Sequence, residues 1–213
     1  MRKNLKAFLI IGRLLIFVLA AGSSQSYALS LIPVDNFNDW QKAEPASQYI
    51  HSGNALSLST AGKANIQKEY ADGMGILCTF NIESASGTAS GGLAMDAGYM
   101  GNDKLHVNLG ISKWGDNYSV YYQIQRRDVN NNIIEELAYG GQIKAISNPN
   151  LVIGIARVAN EIWLYADGYS LIKWDPLTAI SPAGSRFWLW GGTDQNPGSS
   201  ITATFSNVGI IYP

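Results

Sequence analysis

The sequence has little cysteine and little histidine. Cys78 is the one cysteine in 213 residues, so a disulfide within the chain is excluded, as is a zinc or iron–sulfur site built from several cysteines. The two histidines leave few candidates for metal binding or acid–base chemistry. Cys78 lies in an apolar, strand-like segment, so we expect a buried side chain with no reactive role.

An excess of charge of either sign is also missing. The chain has 15 Lys and Arg residues against 16 Asp and Glu residues. Nucleic-acid-binding proteins normally carry a basic excess, so we expect no nucleic-acid partner. The hydrophobic content of 46% is that of a globular protein and excludes general disorder.

Residues 1–28 have the pattern of a secretory signal peptide. A basic start precedes an apolar run from Ala7 to Ala21, and the small residues Ser26 and Ala28 occupy the −3 and −1 positions of a cleavage site. The alternative is an uncleaved anchor, but Arg13 leaves an uncharged stretch shorter than the ~20 residues that a span needs. We therefore expect cleavage after Ala28, a single domain over residues 29–213, and a secreted protein, extracellular or periplasmic, with no membrane contact after cleavage.

Helical periodicity is absent from residues 29–213, and short alternating or β-branched segments recur between turns rich in Gly, Asn and Asp. This pattern predicts an all-β fold of two stacked antiparallel sheets. The candidate strands are Ala55–Ser59, Ala64–Tyr70, Gly75–Glu83, Gly91–Asp96, Lys104–Lys113, Asn117–Arg127, Ile133–Tyr139, Leu151–Val158, Ile162–Ala166, Ser170–Trp174, Arg186–Trp190 and Ser200–Ile211.

Three segments resemble a known superfamily. The hairpin over Leu151–Gly168 has an apolar strand with Arg157 near its end, a short turn, and a return strand that ends in Asp-Gly. The last strand over Ile201–Ile210, and Asp35-Asn36-Phe37 followed by Trp40, complete the likeness. Together they resemble the concanavalin A-like lectin/glucanase superfamily, including laminin-G-like domains. The resemblance implies a jelly-roll sandwich with one concave and one convex face.

Alternation along the strands predicts a polar face that carries aromatic residues. Leu105 and Val120 begin apolar rows that we assign to the core, which places the intervening residues on the opposite face. Aromatic rings stack on the C–H faces of sugars, and amide or guanidinium groups bind sugar hydroxyls. The predicted ligand-binding residues are Tyr121, Gln123, Gln125, Arg127, His106, Asn108, Trp188 and Trp190.

Two alternatives remain open for the aromatic residues. A register shift of one residue in Arg186–Trp190 would bury the tryptophans and expose Phe187 and Leu189. Trp163 and Tyr165 form a second aromatic pair of the same kind, which is either core or surface.

Catalytic residues are not predicted. Retaining glycosidases of this fold carry a Glu-x-Asp-x-Glu-like strand, which the sequence lacks, and the neighbours Glu135 and Glu136 point to opposite faces of a strand. Gln123-Ile124-Gln125 superficially resembles the Gln-Ile-His strand of polysaccharide lyases of this fold, but an amide cannot act as a general base.

We therefore expect a non-catalytic, secreted domain that binds carbohydrate or another extracellular partner, such as a protein, on its concave face. The alternatives are a glycoside hydrolase or polysaccharide lyase with an atypical active site, and a structural or adhesion domain. We expect no cofactor, with calcium as the alternative. Its candidate oxygen donors are Asp35, Asn36, Asp96, Asp194 and Asn196.

Overall fold

The structure is a computed structural model that describes residues 29–43, 47–144, 150–167, 172–176, 179–181, 185–194 and 198–213. The predicted signal peptide lies outside the described residues. In the described part the regular elements are all strands, and it holds no helix long and apolar enough to cross a membrane.

Fifteen strands run through the described residues. They are β1 (Ser30–Pro33), β2 (Gln41–Ala43), β3 (Gln48–Ser52), β4 (Ala55–Thr60), β5 (Lys63–Tyr70), β6 (Gly75–Ser86), β7 (Ala89–Met100), β8 (Asp103–Trp114), β9 (Asn117–Arg127), β10 (Ile133–Lys144), β11 (Leu151–Val158), β12 (Glu161–Ala166), β13 (Ile172–Trp174), β14 (Ser185–Thr193) and β15 (Ser200–Tyr212).

The strands form two antiparallel sheets. Sheet A has the order β13-β12-β11-β6-β15-β4-β3, with β1 also paired to β15, and sheet B has the order β10-β9-β8-β7-β14-β5-β2. This arrangement confirms the predicted fold class, an all-β two-sheet antiparallel jelly-roll sandwich. Strands distant in sequence become neighbours, as where β14 lies between β5 and β7.

The core lies between the two sheets and is built by alternate residues of each strand. Phe80 and Phe205 from sheet A contact each other with ring centroids 5.0 Å apart. Phe187 and Leu189 from sheet B are fully buried opposite them in the same cluster. Burying a side chain of this size stabilises the fold by about 1.5–3 kcal/mol.

The segment between β1 and β2 closes one end of this core. Phe37 and Trp40 are buried there with their rings 5.4 Å apart, and Trp40 lies 6.2 Å from the ring of Tyr70. Cys78 of β6 is buried as predicted, and burial raises the pKa of its thiol. The thiol is therefore protonated and unreactive at neutral pH.

Candidate functional site

The predicted binding residues come together on the outer face of sheet B. Strands β14, β7, β8 and β9 are neighbours, and their register aligns Trp188 with Ala94, Asn108 and Gln123. The next row aligns Trp190 with Gly92, Gly110 and Tyr121. Residues predicted from three separate segments thus lie on one surface.

The two tryptophans of β14 point away from the core. Phe187 and Leu189 are 0% exposed inside the sandwich, so the alternating Trp188 and Trp190 lie on the outer face and are partly exposed. The alternative register, which would bury the tryptophans, is wrong.

A groove of about 360 Å³ crosses this face. Its floor is formed by small residues, because β7 contributes Ser90 and Ala94 between larger side chains on either side. A Cβ atom at Gly110 would lie 3.1 Å from Trp190 Cζ2 and 3.2 Å from Tyr121 Cε1. Glycine at this position therefore lets the two rings approach each other across the sheet.

The groove includes predicted residues and others that sequence reasoning missed. Of the predicted set, Trp188, Trp190, His106, Asn108 and Arg127 line it, whereas Tyr121, Gln123 and Gln125 lie beside it on β9. The polar lining residues that were missed are Lys63, Asn65, Ser90, Asn131 and Thr193.

A detectable signal existed for two of the missed residues. In β5, Lys63 and Asn65 alternate with the buried Ala64 and Ile66, which is the same period of two that marked β8 and β9. However, β5 reaches the groove only by pairing with β14, and these two segments are more than a hundred residues apart in the sequence. Alternation within β5 does not reveal that pairing.

His106 forms the most buried polar contact of this face. Its Nδ1 lies 2.8 Å from Oδ1 of Asp96, and both residues are almost fully buried. Burial lowers the pKa of His106, and the hydrogen bond to Asp96 only partly opposes this. The imidazole is therefore neutral at pH 7. Since a carboxylate only accepts, we assign the hydrogen to Nδ1.

The ring of Trp188 packs edge-on against His106, with centroids 5.3 Å apart. The position of the tryptophan is thus tied to the buried pair beneath it.

Gln125 holds the guanidinium of Arg127. Nε and Nη2 of Arg127 donate to Oε1 of Gln125 at 3.1 Å and 2.7 Å. Gln125 is only 4% exposed, so the arrangement suits it to orienting Arg127. Direct contact of Gln125 with a ligand stays a prediction.

Tyr121 is partly buried beside the groove. Burial raises the pKa of its phenol to about 12, while hydrogen bonds from Ser90 and Asn108 act in the opposite direction. The phenol is therefore neutral at physiological pH and can donate a hydrogen bond.

Three polar atoms in the groove wall lack a protein partner among the described residues. Trp190 Nε1, Asn65 Oδ1 and Asn108 Oδ1 are shielded by their surroundings and make no hydrogen bond within the protein. Leaving such a group unpaired costs about 1–3 kcal/mol. Polar atoms without a protein partner therefore lie next to the aromatic rings of the groove, where a ligand could bind them.

Carboxylates are missing from the described lining of the groove. Glu135 lies instead at the β9–β10 edge, where Oε2 is 3.4 Å from Arg126 Nη1, and Glu136 is aligned with Gln125. Both side chains are exposed, and neither lines the groove.

Three of the candidate calcium donors already make hydrogen bonds within the protein. Asp96 is bonded to His106, Asp194 accepts a hydrogen bond from Ser199, and the side chain of Asn36 accepts one from the backbone of Asn38. Asn196 lies outside the described residues. Within the described ranges, no three His, Cys, Asp or Glu side chains cluster as metal ligands would.

The second aromatic pair belongs to the other sheet. Ile162 and Leu164 of β12 belong to the core, and Trp163 and Tyr165 alternate with them on the outer face of sheet A, where Trp163 is still buried at 9% exposure. The Lys173 ammonium lies 5.5 Å from the centroid of the Trp163 ring. This pair is therefore not part of the groove.

The fold is that of the concanavalin A-like jelly-roll proteins, as the resemblance implied. The kappa-carrageenase of Pseudoalteromonas carrageenovora is similar with a TM-score of 0.59 and 8% identity, over 90% of this chain and 98% of that one. The β-glucanase of Bacillus licheniformis is similar with a TM-score of 0.52 and 16% identity, over 89% and 100% of the two chains. The carbohydrate-binding module CBM66 of Bacillus subtilis gives 0.50 and 12%, over 82% and 95%.

No protein-family model and no curated protein matches the sequence. At the identities found, the similar structures show the fold alone, and the function has to be argued from the groove.

Proposed function

We propose that the protein is a non-catalytic domain that binds carbohydrate in the groove on the outer face of sheet B. The observation that carries the proposal is the composition of that groove: two partly exposed tryptophans stand beside amide and cationic side chains over a floor of small residues. Indole rings stack on sugar C–H faces, and amides pair with hydroxyls. The similar structures include a carbohydrate-binding module, which supports this class of partner.

From the same lining residues we propose that the protein does not cleave the carbohydrate it binds. Glycoside hydrolysis with retention uses two carboxyl groups about 5–5.5 Å apart, and with inversion about 6.5–9.5 Å apart. The described lining of the groove has no carboxylate, and the nearby Asp96 is buried and bonded to His106. A pair of the required kind is therefore not available among these residues.

A second candidate function rests on the Asp96–His106 contact. A neutral imidazole oriented by a carboxylate is a common general base, and His106 lines the groove. A hydrolase or lyase with an atypical active site would use this pair. Its 7% exposure places the imidazole largely out of reach of a substrate, which makes binding without cleavage the better-supported function.

The test measures binding, folding and turnover together. The purified protein is applied to a glycan array with and without calcium, and the affinity for a retained glycan is compared between wild type, Trp188→Ala and Trp190→Ala. We expect each variant to lose at least tenfold in affinity, about 1.4 kcal/mol, with little change in melting temperature. Trp114→Ala is the matched control, because Trp114 is 79% exposed at the end of β8 and outside the groove.

Two results would contradict the proposal. Retention of no glycan would favour a structural or adhesion domain, and folded tryptophan variants that bind like wild type would place the site elsewhere. Release of new chain ends from the bound glycan, abolished by His106→Gln, would establish the second candidate function.

A further inference from the structure

Two cationic side chains line the groove. Lys63 and Arg127 line it, and among the described residues neither forms an ion pair with a carboxylate. This contrasts with the whole chain, where residues 29–213 have 11 basic against 16 acidic groups. The charge of the groove is therefore opposite in sign to that of the domain.

Several cations outside the groove have a carboxylate partner. Lys68 binds Asp39, Arg126 lies 3.3 Å from Asp103, and Arg186 lies 3.4 Å from Glu69. Lys68 and Arg126 belong to the same strands as Lys63 and Arg127, but they alternate with them and lie on the other face. On each of these two strands, the cation on the other face has a carboxylate partner and the cation that lines the groove has none among the described residues.

Asp96 lies beside the groove and favours the charged form of Arg127, which only partly offsets the burial of the guanidinium. Asp96 accepts the hydrogen bond of His106 and is not part of the groove lining. Arg127 itself is held by the neutral Oε1 of Gln125, and burial lowers the pKa of its guanidinium, since the charged form loses hydration there. An oxyanion in the groove would compensate that loss.

The two cations lie far apart. Lys63 belongs to β5 and Arg127 to β9, and three strands separate these two. At a spacing of about 4.8 Å between neighbouring strands, their backbones are roughly 19 Å apart across the sheet. The register aligns Lys63 with Ser119, eight residues before Arg127 on β9, which adds roughly 26 Å along the strands. One monosaccharide cannot contact both, so a ligand that pairs with both cations extends along the groove and carries more than one anionic group.

We infer that the ligand is an acidic polysaccharide whose sulfate esters or carboxylates pair with Lys63 and Arg127 while its sugar rings lie on Trp188 and Trp190. This inference rests on the proposed function and specifies its ligand class. Sulfate and carboxylate share the oxyanion chemistry that the two cations recognise.

The experiment compares three polymers on the intact protein: kappa-carrageenan for sulfate, polygalacturonate for carboxylate and laminarin as the neutral polymer. We expect one or both acidic polymers to bind at least tenfold tighter than laminarin at 50 mM NaCl. The affinity should fall at 500 mM NaCl, because salt screens the charges. The preferred acidic polymer identifies the source of the oxyanion.

Charge-matched variants locate the effect. Lys63→Gln and Arg127→Gln are expected to weaken acidic-polymer binding about tenfold each, whereas Lys68→Gln and Arg126→Gln remove the same charge from the same strands and should change it less than twofold. Arg127→Lys retains the charge, so it should keep most of the affinity and guards against a folding defect in Arg127→Gln. Melting temperature is followed for all five variants.

Other outcomes separate this inference from the proposed function. If laminarin binds as well as the acidic polymers, and only Trp188→Ala and Trp190→Ala reduce its affinity, the anionic ligand class is wrong and the carbohydrate site stands. If the groove variants behave like their controls, the cations do not contact the ligand and the inference is again wrong. If none of the three polymers nor any arrayed glycan binds, both proposals fail.

Discussion

At the scale of single residues, the buried pair of Asp96 and His106 supports one side of the groove on the outer face of sheet B. A carboxylate and an imidazole this far from solvent are stable only because each satisfies the other. The pair also supports the ring of Trp188, which packs on His106. One tryptophan of the groove is thus held by a polar contact whose state depends on pH.

We predict that His106 makes the folded protein less stable as the pH falls from 7.5 to 5.5. Its pKa in the folded state lies below the ordinary 6.5, because burial disfavours the imidazolium. Between these two pKa values the unfolded chain binds more protons, so stability is lost as pH falls through 6.5. Unfolding free energies at pH 7.5, 6.5 and 5.5 should show this decrease in wild type and a smaller one in His106→Gln.

The second histidine provides the control for this prediction. His51 is exposed, so His51→Gln should leave the pH dependence of wild type unchanged. An identical decrease in His106→Gln and wild type would show that His106 does not contribute.

Sequence reasoning predicted the face on which the tryptophans lie better than it predicted the buried polar contact beside them. Alternation was sufficient for Trp188 and Trp190, because the apolar residues that alternate with them, Phe187 and Leu189, are buried in the core. The contact of Asp96 with His106 depends on the register between β7 and β8, which places the two residues opposite each other. Alternation within one strand carries no information on that register.

At the scale of elements, most strands were predictable from the sequence and three short, exposed strands were not. The bounds of β9 and β11 are those predicted, since both have a clear apolar period. The strands β1, β2 and β3 were missed because they are short and mostly exposed, so no apolar pattern marks them. They form through pairing with β15, β5 and β4, a property of the folded sheet. Of the predicted Ser170–Trp174 strand, residues 170 and 171 lie outside the described residues.

The β11–β12 hairpin has a strained turn that can be improved. Val158 pairs with Glu161 across the two-residue turn, and Ala159 has a φ of 53°. Two-residue hairpin turns with positive φ at this position favour glycine, since a Cβ atom costs about 1–2 kcal/mol there. We predict that Ala159→Gly raises the free energy of unfolding by about 0.5–1 kcal/mol, after the entropy that glycine adds to the unfolded chain.

Denaturant unfolding of a matched pair checks the turn. Ala71 is also exposed in a turn, and its φ is not positive, so Ala71→Gly should leave stability unchanged or lower it. Equal effects of the two substitutions would contradict strain at Ala159.

At the scale of the whole molecule, the sandwich identifies the fold, whereas the residues of the groove bear on the function. The same architecture is found in a carrageenase, a β-glucanase and a carbohydrate-binding module, so the fold does not distinguish cleavage from binding. In the function we propose, the distinction lies in side chains on one sheet face: small residues on β7, tryptophans on β14, and cations from β5 and β9. These residues come from across the chain, which is why the site depends on the entire strand order.

The processing of the chain remains a prediction at this scale. We propose that residues 1–28 are removed during secretion, so N-terminal sequencing of the exported protein should begin at Leu29. The strand β1 supports this position, because Leu31 and Ile32 pair with Ile211 and Ile210 in sheet A, and cleavage a few residues later would remove that pairing. Substituting Ala28→Asp should block cleavage, since the −1 position requires a small uncharged residue. A full-length protein that only detergent extracts from wild-type cells would instead establish an uncleaved membrane anchor.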